Sequence, residues 1–199
     1  MTDVWRFYQR HADTWDRDRS CPRPLMERPY LDTVASHLQP GARVLDLGCG
    51  SGEPLGRYFI ERGYDLTGVD AASSMIALCR ERFPQTEWIE ADMRGLALDR
   101  RFVAIIAWDS FFHLDQDEQR AMFTVFQHHI EPGGILLFTS GPKEDAKFGT
   151  MYAEELFHAS LDPDEYESLL EAAGFRVLRF QPEDPKCGGH TVWLAKAAR

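Results

Sequence analysis

Val44-Leu45-Asp46-Leu47-Gly48-Cys49-Gly50-Ser51-Gly52-Glu53-Pro54 decides how this chain is read. A short apolar run ends in three glycines at alternate positions, and an amphipathic stretch follows directly. That pattern predicts strand, tight turn, helix. Glycine opens torsions closed to other residues and lets a ligand lie against the main chain with no Cβ in the way. The first turn of the next helix then offers unpaired N–H groups to a polar ligand. Eighteen residues after Gly52, a second apolar run, Leu66-Thr67-Gly68-Val69, ends in Asp70. An acidic residue about 20 positions after such a turn suits the end of a second strand, where it can accept hydrogen bonds from ribose hydroxyls.

The spacing here is G-x-G-x-G rather than the G-x-G-x-x-G of dinucleotide sites, although Gly56 is nearby. Asp46 sits two residues before the first glycine, where it would meet a cationic amine and repel a diphosphate. The block resembles motif I of the class I S-adenosylmethionine (SAM) methyltransferases. Glu90-Ala91-Asp92-Met93-Arg94 is similar to that family's adenine-contacting acidic motif, and Pro132-Gly133-Gly134-Ile135-Leu136-Leu137-Phe138 to its turn into strand five. The resemblance covers Arg43 to Ser140 firmly and the C-terminal strands loosely. It implies an α/β, Rossmann-like, doubly wound seven-stranded sheet of order 3-2-1-4-5-7-6, with strand 7 antiparallel. It also implies SAM as cofactor, leaving as S-adenosylhomocysteine.

Composition sets outer bounds. At 199 residues the chain has the length of one domain and can bury a substantial core. Apolar residues make up 44%, with 13 Phe and 5 Trp, which argues against disorder. No run approaches the ~20 apolar residues needed to span a bilayer. The first 20 residues do not read as a signal sequence. The cysteines, Cys21, Cys49, Cys79 and Cys187, lack C-x-x-C spacing, so neither a zinc site nor a redox pair is indicated. A reduced cytoplasmic setting is expected. The net charge of −10 disfavours nucleic acid as a partner, since a nucleic-acid footprint is normally basic.

Along the chain, residues 3–19 carry Tyr8, His11 and Trp15 at helical intervals. The segment reads either as an amphipathic helix packed on the domain or as a lid, which the resemblance favours, with Trp15 and Arg19 reaching the cofactor. Cys21 to Pro29 reads as a loop, and Leu31, Val34 and Leu38 then share one helical face. Strands are expected near 43–47, 64–69, 86–91, 102–108 and 134–140, then at 175–180 and 190–195. Helices are expected from the glycine turn to Gly63, from Ser73 or Ser74 to Pro84, from the cap Asp115, and from Asp162. The connection from Gly141 to Leu161 is longer than usual, so it is functional or an added lid. The expected plan is one domain: 1–40 a helical lid or cap, 41–140 the SAM-binding core, 141–161 an acceptor-site insertion, 162–199 a helix and strand pair.

Ligands of open α/β sheets bind beyond the carboxyl ends of the parallel strands. There the resemblance assigns Asp70 to the ribose, Asp92 to the adenine amine and Met93 to the ring, with Asp46, Gly48, Cys49, Gly50 and Gly52 facing the methionine portion. Ala71, Met75 and Trp108 complete the cofactor half. After strand four come Asp109, Ser110, Phe112 and His113, and after strand five the connection with His158; His190 reaches the same edge if strand seven is antiparallel. Ser110, Phe112 and His158 are the expected acceptor contacts, and His113, His190 and Asp109 the catalytic candidates. An imidazole suits an acceptor that must lose a proton, and the rate would then rise with pH through its titration. An Asn-Pro-Pro-Tyr motif, a strand-four cysteine and catechol-type metal ligands are not evident. The expectation is a metal-independent SAM methyltransferase of a small-molecule acceptor. The rival readings are a SAM-binding sensor or scaffold and an NAD(P) oxidoreductase.

Overall fold

Strand β1 (Arg43–Leu47) lies inside a seven-stranded sheet, flanked by β2 (Asp65–Asp70) and β4 (Phe102–Ala107), both parallel to it. The structure, a computed structural model, describes residues 3–20 and 25–199. The sheet continues through β3 (Glu87–Glu90) on one side and β5 (Ile130–Ser140) on the other. Two further strands, β8 (Phe175–Asp184) and β9 (His190–Ala197), close it, with β9 antiparallel to both neighbours. The spatial order is β3-β2-β1-β4-β5-β9-β8. This is the expected topology once the hairpin described below is counted separately.

Alternate side chains of each strand point to opposite faces, so one sheet feeds two cores. On one face Val44, Leu66, Ala104, Ile106 and Leu137 pack against α2 (Arg28–Ala35) and α3 (Leu55–Ile60) through Tyr30, Val34 and Phe59. On the other, Leu45, Leu47, Ile105 and Phe138 meet α5 (Gln116–His129) and α6 (Pro163–Ala172) through Phe123, Phe126, Tyr166 and Leu170. Asp115 starts α5 with a full capping box: its carboxylate accepts from Glu118 N at 2.9 Å, and Glu118 accepts from Asp115 N at 3.0 Å. Such a cap contributes about 0.5–2 kcal/mol. Asp162 caps α6 through Asp164 N.

Two local expectations are corrected. The helix does not follow the glycine turn directly; residues 50–54 turn again through a cis Glu53–Pro54 bond, and α3 begins at Leu55. That helix runs to Ile60, and Gly63, at φ +76°, closes its end as expected: Gly63 N donates to Ile60 O at 2.9 Å and Tyr64 N to Phe59 O at 3.2 Å. The long connection, in which the sequence signals no strand, holds β6 (Asp145–Met151) and β7 (Glu154–Ser160), paired antiparallel as a separate hairpin. Its sequence concealed this because β6 is exposed or half-buried along its length, so no apolar alternation marks it. Of the loop expected at Cys21–Pro29, residues 21–24 lie outside the described residues, as does Cys21 among the cysteines. Cys49, Cys79 and Cys187 are free and buried.

Helix α1 (Trp5–Arg19) lies across the carboxyl ends of the parallel strands. It packs Ala12 on Ala72, the residue before α4 (Ser73–Arg82), and on Met75 within it, and ties Asp16 to Arg82 by two bonds of 2.8 and 2.7 Å. No helix among the described residues is long and apolar enough to cross a membrane.

Candidate functional site

The carboxyl ends of β1, β2 and β4 form the floor of a cavity that α1 covers. At the end of β1 the chain must turn sharply, and Gly48 does so at φ +74°. A Cβ there would stand 2.2 Å from Ser110 Cβ, so the β4 loop can approach only because residue 48 is glycine. Ser110 Oγ donates to Leu47 O at 2.6 Å, locking the two strand ends together. Asp70 is held by the same turn: Gly50 N donates to its Oδ2 at 2.9 Å and Ala72 N to its Oδ1 at 2.8 Å. A carboxylate accepts about four hydrogen bonds, so roughly two positions stay open toward the cavity.

Two carboxylates in this floor lack a cationic partner among the described residues. Asp46 is 3% exposed; burial, reinforced by the Asp70 charge, pushes its carboxyl up to about 7. Burial also raises Asp70, against the pull of its backbone N–H bonds. A ligand bringing positive charge relieves both, whereas a diphosphate would add to the repulsion. The cofactor that the motifs imply carries an ammonium and a sulfonium, and so fits this charge. Asp92 differs. Burial opposes its ionisation, but Arg94, bound through Nε at 2.9 and 3.0 Å, outweighs burial and holds the carboxyl below its usual range. In this conformation Asp92 is committed to Arg94, which also contacts Glu118.

The far wall holds two histidine systems. His113, at the end of a single 3-10 turn (Phe111–His113), has Nδ1 2.9 Å from Phe157 O and Nε2 2.8 Å from the Tyr8 hydroxyl. A carbonyl can only accept, so Nδ1 carries the proton and Nε2 accepts from Tyr8. Burial pushes the imidazole down to about 4, and drives the Tyr8 hydroxyl well above its usual value. His190 is held the opposite way. Its Nδ1 donates to Cys187 O at 2.5 Å, and Nε2 lies 2.9 Å from Asp109 Oδ1. The Asp109 carboxylate raises His190, with burial opposing. The contact is a charge pairing rather than an aligned bond, since Oδ1 has no hydrogen-bond partner of good geometry. Asp109 itself takes a left-handed φ of +50°, with its N–H on Thr139 Oγ1 at 2.9 Å.

Of the residues expected at the site, all but Gly52, Phe112, His158 and His190 line the cavity. Gly52 is a packing glycine: a Cβ would sit 3.1 Å from Trp88 and 3.3 Å from Phe83. Phe112 stacks on His158 with centroids 5.4 Å apart, behind His113, and burial lowers His158. His190 reaches the site through two lining residues, Asp109 and Trp108. Tyr8, Trp5 and Glu53 line the cavity without having been singled out as site residues. Tyr8 had a usable signal: it stands seven residues before Trp15, hence on the same face of the helix.

Known proteins share this plan. A family model described as "Methyltransferase domain" matches residues 44–134. The dTDP-3-amino-3,4,6-trideoxy-alpha-D-glucopyranose N,N-dimethyltransferase of Streptomyces venezuelae is 32% identical over 132 residues, 64% of this chain and 55% of that protein. The trans-aconitate 2-methyltransferase of Azoarcus sp. (strain BH72) is 31% identical over 136 residues, 65% of this chain and 47% of that protein. The chain thus spans about half the length of these curated relatives. Among solved structures, a SAM-dependent methyltransferase from Clostridium acetobutylicum ATCC 824 superposes with TM-score 0.74 at 14% identity, covering 97% of this chain and 100% of the other. A SAM-bound amino pentose methyltransferase from Micromonospora echinaspora gives TM-score 0.69 at 18% identity, covering 86% of this chain and 89% of the other. Residues 44–134 thus match a methyltransferase-domain model, and the fold is that of solved S-adenosylmethionine-dependent methyltransferases.

Proposed function

We propose that this protein transfers a methyl group from SAM to a small-molecule acceptor, and that the acceptor is an uncharged group such as an amine, bound neutral or as an ammonium that gives up its proton before transfer. One observation carries the reading: a single cavity runs from Asp70 and Asp92, past Gly48 and Gly50, to Tyr8, His113 and Asp109. A protein that only sensed the cofactor would have no use for polar groups at that far end.

In this reading Asp70 takes the ribose hydroxyls, Asp46 faces the ammonium, and Asp92 and Met93 border the adenine. Trp15 and Arg19 cover the cofactor from α1. Bound there, the cofactor supplies a methyl group already activated by its sulfonium. The protein's part is placement, and holding two reactants in line contributes roughly 7–11 kcal/mol in favourable cases. Tyr8 is positioned to accept a hydrogen bond from the acceptor while donating to His113. A proton leaving the acceptor would pass to Tyr8 oxygen as the Tyr8 proton moves to His113 Nε2. Asp109, backed by His190, would orient the acceptor's polar group.

Charge favours an amine over a carboxylate. Among the lining residues both arginines are already paired, Arg19 with Glu27 at 2.9 Å and Arg94 with Asp92 and Glu118. A carboxylate acceptor would meet Asp109 with no free cation among the described lining residues, whereas an amine matches the amino-sugar enzyme named above. An acceptor screen monitoring S-adenosylhomocysteine release tests this. Turnover should appear with amines; turnover confined to carboxylates would overturn the amine assignment. SAM binding without turnover of any acceptor would favour the sensor reading. Calorimetry should show binding of SAM and not NADH.

A further inference from the structure

The β6–β7 hairpin makes a closed ring of contacts with α1. Midway along it, Phe157 O accepts a hydrogen bond from Nδ1 of His113, whose Nε2 accepts from Tyr8 of α1. At its tip, the chain returns to the same helix. Glu154 accepts from His11 Nε2 at 2.9 Å and pairs with Arg10. The Tyr152 ring stacks on Phe7, with centroids 5.9 Å apart and planes 6° from parallel, and its hydroxyl donates to Asp18 at 2.8 Å. Tip contacts therefore fall on both sides of Tyr8 along the helix.

The tip is built in an unusual way. Tyr152 and Ala153 form the two-residue turn at φ +49° and +62°, torsions for which Asn and Gly are the favoured residues. A tyrosine held there is strained, and such strain persists where the side chain has a use. Here the ring is spent on α1. Helix α1 is moreover interrupted at His11, at φ −109° and ψ +15°, the residue that Glu154 contacts. On its other side α1 is already anchored to α4 through Ala12, Gln9 and Asp16. The hairpin is thus not needed to hold α1 on the protein. What it adds are contacts to Phe7, Arg10 and His11, the residues on either side of Tyr8, and to Asp18.

We infer that Tyr152 and Glu154 are positioning residues: they hold the Tyr8 end of α1 so that the Tyr8 hydroxyl meets His113. The inference rests on the roles given to Tyr8 and His113 above, but its test needs no acceptor and no turnover. The protein, labelled with ¹⁵N-histidine, is saturated with S-adenosylhomocysteine, and the His113 Nε2 chemical shift is compared in four forms: wild type, Tyr8→Phe, Tyr152→Ala with Glu154→Ala, and Glu154→Gln. Loss of the tip should move the Nε2 signal to the value seen in Tyr8→Phe. Amide exchange over residues 5–11 should accelerate about tenfold or more, while that of α4 stays unchanged. The milder Glu154→Gln should shift the signal partway and serves if the double variant folds poorly. An unchanged His113 signal in a folded double variant would overturn the assignment, as would acceleration spread evenly over α1 and α4. If methyl transfer itself were disproved, the histidine shift would still report whether the hairpin places Tyr8.

Discussion

The Tyr8 hydroxyl and His113 Nε2 lie 2.8 Å apart although 105 residues separate them in the chain. The first belongs to the covering helix and the second to the 3-10 turn that follows β4, so the contact exists only when the site is covered. Because Phe157 O fixes the Nδ1 proton, the direction of this hydrogen bond is set as well.

If that contact carries the acceptor's proton, Tyr8→Phe, which keeps the ring, should lower turnover about 100-fold, the usual scale of general-base assistance. His113→Gln should do the same. Affinity for SAM should stay within about threefold, and melting temperatures should remain close to wild type. Wild-type rates in both folded variants would assign catalysis to placement alone.

The pH behaviour of His113 differs from what its residue type suggests. With the imidazole near 4, it stays neutral from pH 5 upward, so His113 should add no histidine titration near 6.5 to the rate. Its folded value lies below its unfolded one. Its contribution to stability is therefore complete above about pH 6.5 and is lost as the pH falls toward 4, because the unfolded chain binds the proton first. Melting curves between pH 4 and 7 should show less acid sensitivity in His113→Gln. Equal acid sensitivity in the two proteins would contradict the assignment.

Asp46 gives a second pH signature, on binding. Its carboxyl titrates near 7 without ligand, and a cationic ligand favours the ionised form. SAM affinity should fall as pH drops below 7, approaching about tenfold per unit, and binding should release a proton. Calorimetry in buffers of different ionisation enthalpy detects that proton, and Asp46→Asn should abolish both effects. Proton release that persists in Asp46→Asn would place the titrating group elsewhere.

Asp70→Ala removes a carboxylate with two jobs. The loss of ribose contacts should weaken SAM by about 2–4 kcal/mol, since charged hydrogen bonds contribute ~1.5–3 kcal/mol each and do not add fully. The freed Gly50 and Ala72 amides should also lower the melting temperature, a cost the sequence did not reveal. Unchanged affinity in a folded variant would end the ribose assignment.

Gly48→Ala meets two obstacles, the left-handed backbone and the Ser110 side chain 2.2 Å away. The backbone contributes about 1–2 kcal/mol and the collision adds to it. Ser110→Gly should recover the collision but not the torsional cost. No recovery in the double variant would mean that Ser110 is not the obstacle.

How much of this was legible beforehand follows from the range of the interactions. The apolar runs of β1, β2 and β4, the glycines and Asp70 are local signals, and patterning with turn chemistry set the strand–turn–helix unit without help from elsewhere. Asp115 and Asp162 likewise announced their helices, because a cap acts within one turn. The hairpin was hidden because β6 is exposed, and an exposed strand needs no apolar pattern. Whether a given polar residue faces the cavity was hidden for a different reason. Gly52 and Gly48 look alike in the chain, yet one meets Trp88 and the other Ser110, partners 36 and 62 positions away. The titration of His113 and Asp46 depends on burial and on charges brought near by folding. Residue type and spacing determined which groups reach the edge of the sheet; only the tertiary structure decided which of them lose water, find a partner, and so become able to act.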